Sequence, residues 1–184
     1  MPAHSAQEPV GELDARYSSA TNPRPGAEAV TAVEWAEARR LLEAAEIFWL
    51  STVRPGGRLH VTPLIGAWHD GRLYFSTGPE EQKAKNLAHD PHCALTTGRN
   101  VLTEGLDVIV EGVADRITDP AALEEIIAVH ETKYREHMTS PEGTFFGMGD
   151  GIRKGEVAVF GVAPHTAYGF GRDGGVFSHT RWTF

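Results

Sequence analysis

The chain predicts an antiparallel β-barrel decorated by helices, a mainly β fold of the α+β class. Apolar runs of strand length recur along most of it, about seven or eight of them, and hairpin signals join most neighbours. Only about two or three helical patterns are interspersed, and they do not alternate with strands in the doubly wound manner. No P-loop pattern occurs, and no Gly-rich fingerprint joins a strand to a helix, so a nucleotide-like ligand needs another device to hold it.

The elements follow in order. Residues 1–29 are rich in Ala, Pro, Ser and Glu without a sustained period and read as a mobile arm. The barrel domain then occupies residues 30–184. Thr31 and Glu34 stand at capping-box spacing, with Val30 and Trp35 placed as a staple, so a helix is expected from there. Trp35, Ala38, Leu42 and Ala45 recur at helical spacing and should face the core. Strand patterns follow over 47–53 and 58–68, separated by RPGGR, whose Gly56-Gly57 suits a tight turn. Pro63 cannot donate to a ladder and marks an edge or a bulge. Asp70-Gly71 forms the next hairpin, and a strand covers 73–77.

A short helix begins near Gly78-Pro79 and stops at Asp90-Pro91. Strands at 93–97 and 107–115 lead to Asp119-Pro120, which starts a second substantial helix running to about residue 137. In that helix Leu123, Ile127, His130 and Tyr134 fall near one face. Residues 139–154 are Gly-rich and read as a surface loop, followed by strands over 156–162, 166–170 and 176–184.

At 184 residues the chain is long enough to bury a sizeable core, and 41% hydrophobic with 23% charged content is ordinary for a globular protein. The net charge of −8 argues against a duplex nucleic-acid binder, which needs a basic face, yet permits one small basic pocket. No apolar run approaches the roughly 18 residues of a membrane span, and no secretory leader is evident. Cys93 is the only cysteine, so no intrachain disulfide forms. A cytoplasmic protein without a membrane or nucleic-acid partner is expected.

Most of the chemistry-bearing residues lie in the first half, with Arg181 and Trp182 near the end. Lys83 and Asn86 lie three apart on one helix face with Lys85 between them, and an ammonium and an amide there suit a phosphate. The same helix also reads as a solvated one in which Glu80 pairs with Lys83 and Glu81 with Lys85. His60 and Thr62 share a strand face and suit the polar edge of a planar ring, or simply face water. Ser76 and Thr77 end a strand as ligand contacts or helix caps. Arg181 and Trp182 suit a phosphate and a stacked ring, or Trp182 is core with Arg181 at its margin. No metal set is expected: His89 and His92 lack partners at a recognised spacing. Cys93 carries no nucleophile signature, and no defensible acid–base pair appears among the carboxylates.

HVTPL at 60–64, GRLYFSTG at 71–78, KAKNLAHDP at 83–91, DVIVEGVADRITDP at 107–120 and FSHTRWTF at 177–184 carry a resemblance over residues 31–184. The chain resembles the pyridoxamine-5′-phosphate-oxidase-like FMN-binding superfamily, and within it the actinobacterial flavin- and deazaflavin-dependent oxidoreductases. The resemblance implies a split antiparallel β-barrel acting as a homodimer with cofactor sites between subunits. The cofactor implied is F420, with FMN the alternative. It implies an oxidoreductase passing hydride between that ring and a small organic substrate, without a dedicated catalytic acid; a non-catalytic flavin- or haem-binding protein is the other class. Cofactor-binding residues are implied at His60, Val61, Thr62, Pro63, Ser76, Thr77, Lys83, Ala84, Lys85, Asn86, Arg181 and Trp182. Among them Lys83, Lys85 and Asn86 would hold the phosphate, and residues 60–63 would line the ring.

Overall fold

The structure, a computed structural model, describes residues 8–18 and 30–184. Its strands are β1 (Val10–Leu13), β2 (Ile47–Val53), β3 (Leu59–His69), β4 (Arg72–Thr77), β5 (His92–Thr97), β6 (Glu104–Ile117), β7 (Ala158–Asp173) and β8 (Val176–Thr183). Its helices are α1 (Trp35–Ala44), α2 (Gln82–His89), α3 (Pro120–Lys133), α4 (Arg135–Thr139) and α5 (Met148–Arg153). Pairing runs β7–β4–β3–β2–β5–β6 and returns from β6 to β7, which closes a six-stranded antiparallel barrel. β8 extends from the far half of β7, and β1 pairs with β8. The expected mainly β barrel with helices around it is the observed fold. Among the described residues no helix is long and apolar enough to cross a membrane.

Alternation along the strands fills the barrel. On β2, Phe48, Leu50 and Thr52 point inward, while Ile47 and Trp49 stay 46% and 51% exposed. Phe75 from β4, Leu95 from β5, and Val108 and Val110 from β6 meet them inside. α1 closes one end with Trp35, Ala38 and Leu42, the face its spacing predicts. α3 and α5 cover the outside of β7 through Ile126, Ile127, Ile152 and Val159. The Asp70-Gly71 hairpin has positive φ at both residues, 44° and 74°, as a tight turn between twisted strands requires. Pro63 lies where β3 pairs with β2 alone, since β4 joins β3 only from Gly66 onward.

Several sequence readings change. Thr31 does not cap α1: the helix starts at Trp35, with Glu34 at its N-cap and no side-chain capping bond. Residues 30–34 are held instead by β8, because Val33 N–H donates to Thr180 Oγ1 at 2.8 Å and the Trp182 indole N–H donates to Val33 O at 3.2 Å. Residues 8–18 are not a free arm. β1 covers the edge of β8, with Val10 opposite Thr183, and His179 N–H donates to Ser18 Oγ at 2.9 Å. The rest of the expected arm, 1–7 and 19–29, lies outside the described residues.

The expected pair of strands at 156–162 and 166–170 is one strand, β7. A bulge in β7 at His165, opposite Glu111 and Gly112 of β6, places Pro164 in the ladder without breaking the strand. Gly112 is needed there, as a Cβ would stand 2.1 Å from Ala163 O. The Gly-rich stretch is not a plain loop either. It contains α5, whose Gly149 and Gly151 are buried with Ile152. A G-x-G-x-x-G spacing does occur at 169–174, but it runs along β7 into the β7–β8 hairpin and opens no helix, so it is no dinucleotide fingerprint.

Candidate functional site

The end of β4, the turn after it and the first residues of α2 form one wall of a cleft of about 420 Å³. Ser76, Thr77, Gly78, Glu81 and Lys83 contribute from this side. Ile47 from β2 and Pro63, Leu64 and Ile65 from β3 form the apolar floor, and Phe145, Met148 and Val157 close the other side. The lining is therefore apolar with polar groups gathered at one end, a composition suited to a flat ring carrying a polar tail.

Helical geometry sorts the basic helix. Lys83, Ala84, Asn86 and Leu87 are buried, so residues three and four apart face the barrel. Lys83 lies in the cleft with its side chain only 11% exposed, and its ammonium pairs with the Glu81 carboxylate. Glu81 Oε1 also accepts from Gly78 N–H at 3.0 Å. The Lys83 hydrogen bond holds the Glu81 carboxyl below its ordinary pKa, against the opposing effect of burial. Lys85 lies on the outer face, its side chain 56% exposed, pairing with Glu80 at 3.3 Å. The solvated-helix reading thus had the partners exchanged: Glu81 meets Lys83, and Glu80 meets Lys85.

Asn86 does not line the cleft. Fully buried, it donates from Nδ2 to Thr52 Oγ1 at 2.9 Å and accepts from Gln82 Nε2 at 2.7 Å. It ties α2 to β2 and thereby positions Lys83. Ala84 packs in the barrel core. Of the four positions 83–86, only Lys83 lines the cleft.

The β3 residues divide between its two faces. Val61 is 53% exposed and Pro63 is exposed, whereas His60 and Thr62 are half-buried. His60 Nδ1 is buried without a partner. Desolvation, followed by the charges of Arg54 and Lys83, lowers the His60 pKa and so favours its neutral form. Ser76 Oγ in the cleft wall is likewise buried and unpartnered, and Thr77 is buried beside it. Orphaned buried polar atoms are rare in folded proteins. Beside a partly buried ammonium they fit a ligand that carries both hydrogen-bonding groups and negative charge.

The C-terminal pair does not join this cleft within one chain. Trp182 is 1% exposed, packed edge-on to Trp35 at 5.4 Å between ring centres, where the core reading of the sequence places it. Arg181 pairs with Glu12 of β1 at 3.1 Å and lines a separate cavity of about 400 Å³ with Tyr168 and His179. On β7, Ser76 pairs with Val159 and Arg181 with Tyr168. The two sites are thus nine residues apart along β7, at most roughly 30 Å at about 3.3 Å per residue.

Glu81, Phe145 and Met148 were missed as cleft residues. In the sequence alone Glu81 reads as a surface partner of Lys85. The signal for the others was two large apolar side chains inside a Gly-rich stretch. Among the described residues no group of three or more His, Cys, Asp or Glu side chains is placed to hold a metal ion.

A family profile described as Pyridoxamine 5′-phosphate oxidase matches residues 35–170, more than half of the chain. No curated protein matches it. Among solved structures, the chain is similar to the conserved hypothetical protein Rv2991 from Mycobacterium tuberculosis, with 24% identity, TM-score 0.61, and 73% of this chain and 82% of that one covered. A FAD-binding protein from Mesorhizobium loti aligns with 15% identity and TM-score 0.56, covering 83% of this chain and 96% of the other. A heme binding protein from Mycobacterium smegmatis aligns with 17% identity and TM-score 0.60, covering 81% and 59%. At these identities the structural likenesses speak for the fold.

Proposed function

The chain belongs to the pyridoxamine 5′-phosphate oxidase family, and from that premise we propose that it is an oxidoreductase holding a flavin-type redox cofactor in the β4–α2 cleft. The observation that carries this reading is the partly buried Lys83 ammonium beside the unpartnered Ser76 hydroxyl, at the polar end of an apolar slot. We take the deazaflavin F420 as the cofactor, with FMN the alternative, and a small electron-poor organic molecule as the substrate. When bound, the reduced ring supplies a hydride to the substrate.

The chain's own residues bind, orient and exclude water. Lys83 holds the anionic tail, and Ser76 and Thr77 offer hydroxyls beside it. Leu64, Ile65, Phe145 and Met148 form the apolar walls that keep water from the reacting faces. His60 has an unfilled Nδ1 for a polar ring edge. Hydride transfer depends on close, oriented stacking more than on proton transfer, and this reading requires no acid–base residue.

A second copy of the chain completes the site in this reading. Ile47, Trp49, Leu59 and Val61 are all large, apolar and 46–72% exposed, and they lie on adjacent strands β2 and β3. An exposed apolar face of this kind marks an interface. Arg181 then enters from the second copy, since it is remote from the cleft of its own chain.

Spectroscopy of the purified protein tests the cofactor. Quenching of added F420 fluorescence by a colourless preparation supports the first choice, and flavin absorption bands move the assignment to FMN. A Soret band replaces both with haem, the ligand class of the M. smegmatis protein. Mixing the reduced cofactor with a substrate panel separates enzyme from carrier; no oxidation by any member sinks the enzyme reading.

A further inference from the structure

The donors gathered at the polar end of the cleft already grip an anion, and that anion belongs to the chain. Glu81 is the N-cap residue of α2, yet its carboxylate makes no capping bond to the helix. It turns back instead. One oxygen accepts from Gly78 N–H and the other meets the Lys83 ammonium. An ammonium and a backbone N–H are donor types that hold a phosphate oxygen. The Glu81 side chain is 55% exposed while that of Lys83 is 11% exposed, so the carboxylate can swing outward and the ammonium cannot follow it.

We infer that Glu81 is a specificity-determining residue, an internal occupant of the anion site that the phosphate of an incoming ligand must displace. The inference rests on the cofactor reading above only for the identity of that ligand. Its consequence is a preference by charge. With Glu81 in place, the Lys83–Glu81 pair is neutral. A phosphomonoester, carrying about −1.5 to −2 charge at neutral pH, is opposed by the nearby carboxylate more strongly than a singly charged phosphodiester is. At the phosphate itself FMN carries a monoester and F420 a diester, so Glu81 tilts that position toward the second.

The test compares the full chain with Glu81→Gln, which keeps the shape of the side chain and removes its charge. FMN, F420 and riboflavin are titrated into both proteins, each ligand compared only with itself. The variant should bind FMN about tenfold more tightly, the worth of one charge-assisted hydrogen bond no longer shared. F420 should gain less, and riboflavin, which lacks a phosphate, should be unchanged. A second measurement needs no cofactor: the thermal midpoint in rising inorganic phosphate. Glu81→Gln should climb with phosphate while the wild type stays flat, and adding Lys83→Gln to the variant should abolish the climb.

A variant that gains neither FMN affinity nor a phosphate response overturns the inference, even where both proteins bind flavin and the cofactor reading survives. A phosphate response in Glu81→Gln with no flavin bound by either protein leaves the role of Glu81 standing and removes the cofactor reading. Equal gains for FMN and F420 overturn the preference by charge.

Discussion

The two ends of the barrel are built on opposite principles. At the α1 end, Trp35 packs edge-on against Trp68 at 5.6 Å, Trp182 at 5.4 Å and Phe184 at 4.9 Å. There the Trp182 indole N–H bonds Val33 O, and Thr180 Oγ1 accepts from Val33 N–H. Gly169 exists to admit the Trp182 ring, because a Cβ there would stand 2.4 Å from it. At the cleft end, Ser76 Oγ and His60 Nδ1 are buried without partners, and the Lys83 charge is met by a half-exposed carboxylate. A finished core satisfies its polar groups, whereas a binding site keeps some in reserve.

Substitutions at the two ends should therefore fail differently. Trp182→Ala should have the largest effect, a loss of about 3–5 kcal/mol in stability read from denaturant midpoints. A small loss there would mean that the aromatic end is not a packed plug. Asn86→Ala should destabilise by about 1–3 kcal/mol, because it strands the Thr52 hydroxyl and the Gln82 amide on the two sides of a buried contact. Lys83→Ala should instead weaken cofactor binding by about 1–3 kcal/mol with little change in thermal midpoint; unchanged titration curves would remove Lys83 from the site. Lys85→Ala, on the outer face of the same helix, should stay within about 0.5 kcal/mol in both measurements. Equal responses from the two lysines would erase the distinction between the faces of α2.

Between the two ends, Lys133 sharpens the comparison. Its ammonium donates to Gly66 O at 2.8 Å over the Phe48 ring, and burial pushes its pKa down to about 8. Since the unfolded lysine titrates near 10.4, the folded state binds fewer protons between these values, and stability should rise with pH from about 8 to about 10.5. Discounted for the partial exposure of the side chain, the gain is about 1–2 kcal/mol. Lys133→Met should flatten that slope in pH-dependent melts. A wild-type slope that persists in Lys133→Met would assign the titration to another group.

Where the information was local, it was legible. The alternation in IFWLSTV gives β2 its observed bounds, and Asp70-Gly71 supplies the positive φ angles of its hairpin. The apolar spacing of α1 names the face that is buried. Where a partner distant in sequence decides, the reading fails. Val33 is 147 residues from Thr180, and that contact moves the start of α1 away from a plausible capping box. α5 is hidden in a Gly-rich stretch because close packing requires the glycines: a Cβ at Gly149 would lie 3.1 Å from Ile127 Cγ2.

By itself the amino-acid order determined the barrel class, most strand positions and the short basic helix that bounds the cleft, because period and turn chemistry act between near neighbours. Only the tertiary structure decided that Lys83 lines a cavity, that Asn86 is a strut, that Trp182 is core and that Glu81 pairs with Lys83. Those roles depend on what stands opposite each side chain, and the closure of the sheet brings those partners from distant parts of the chain.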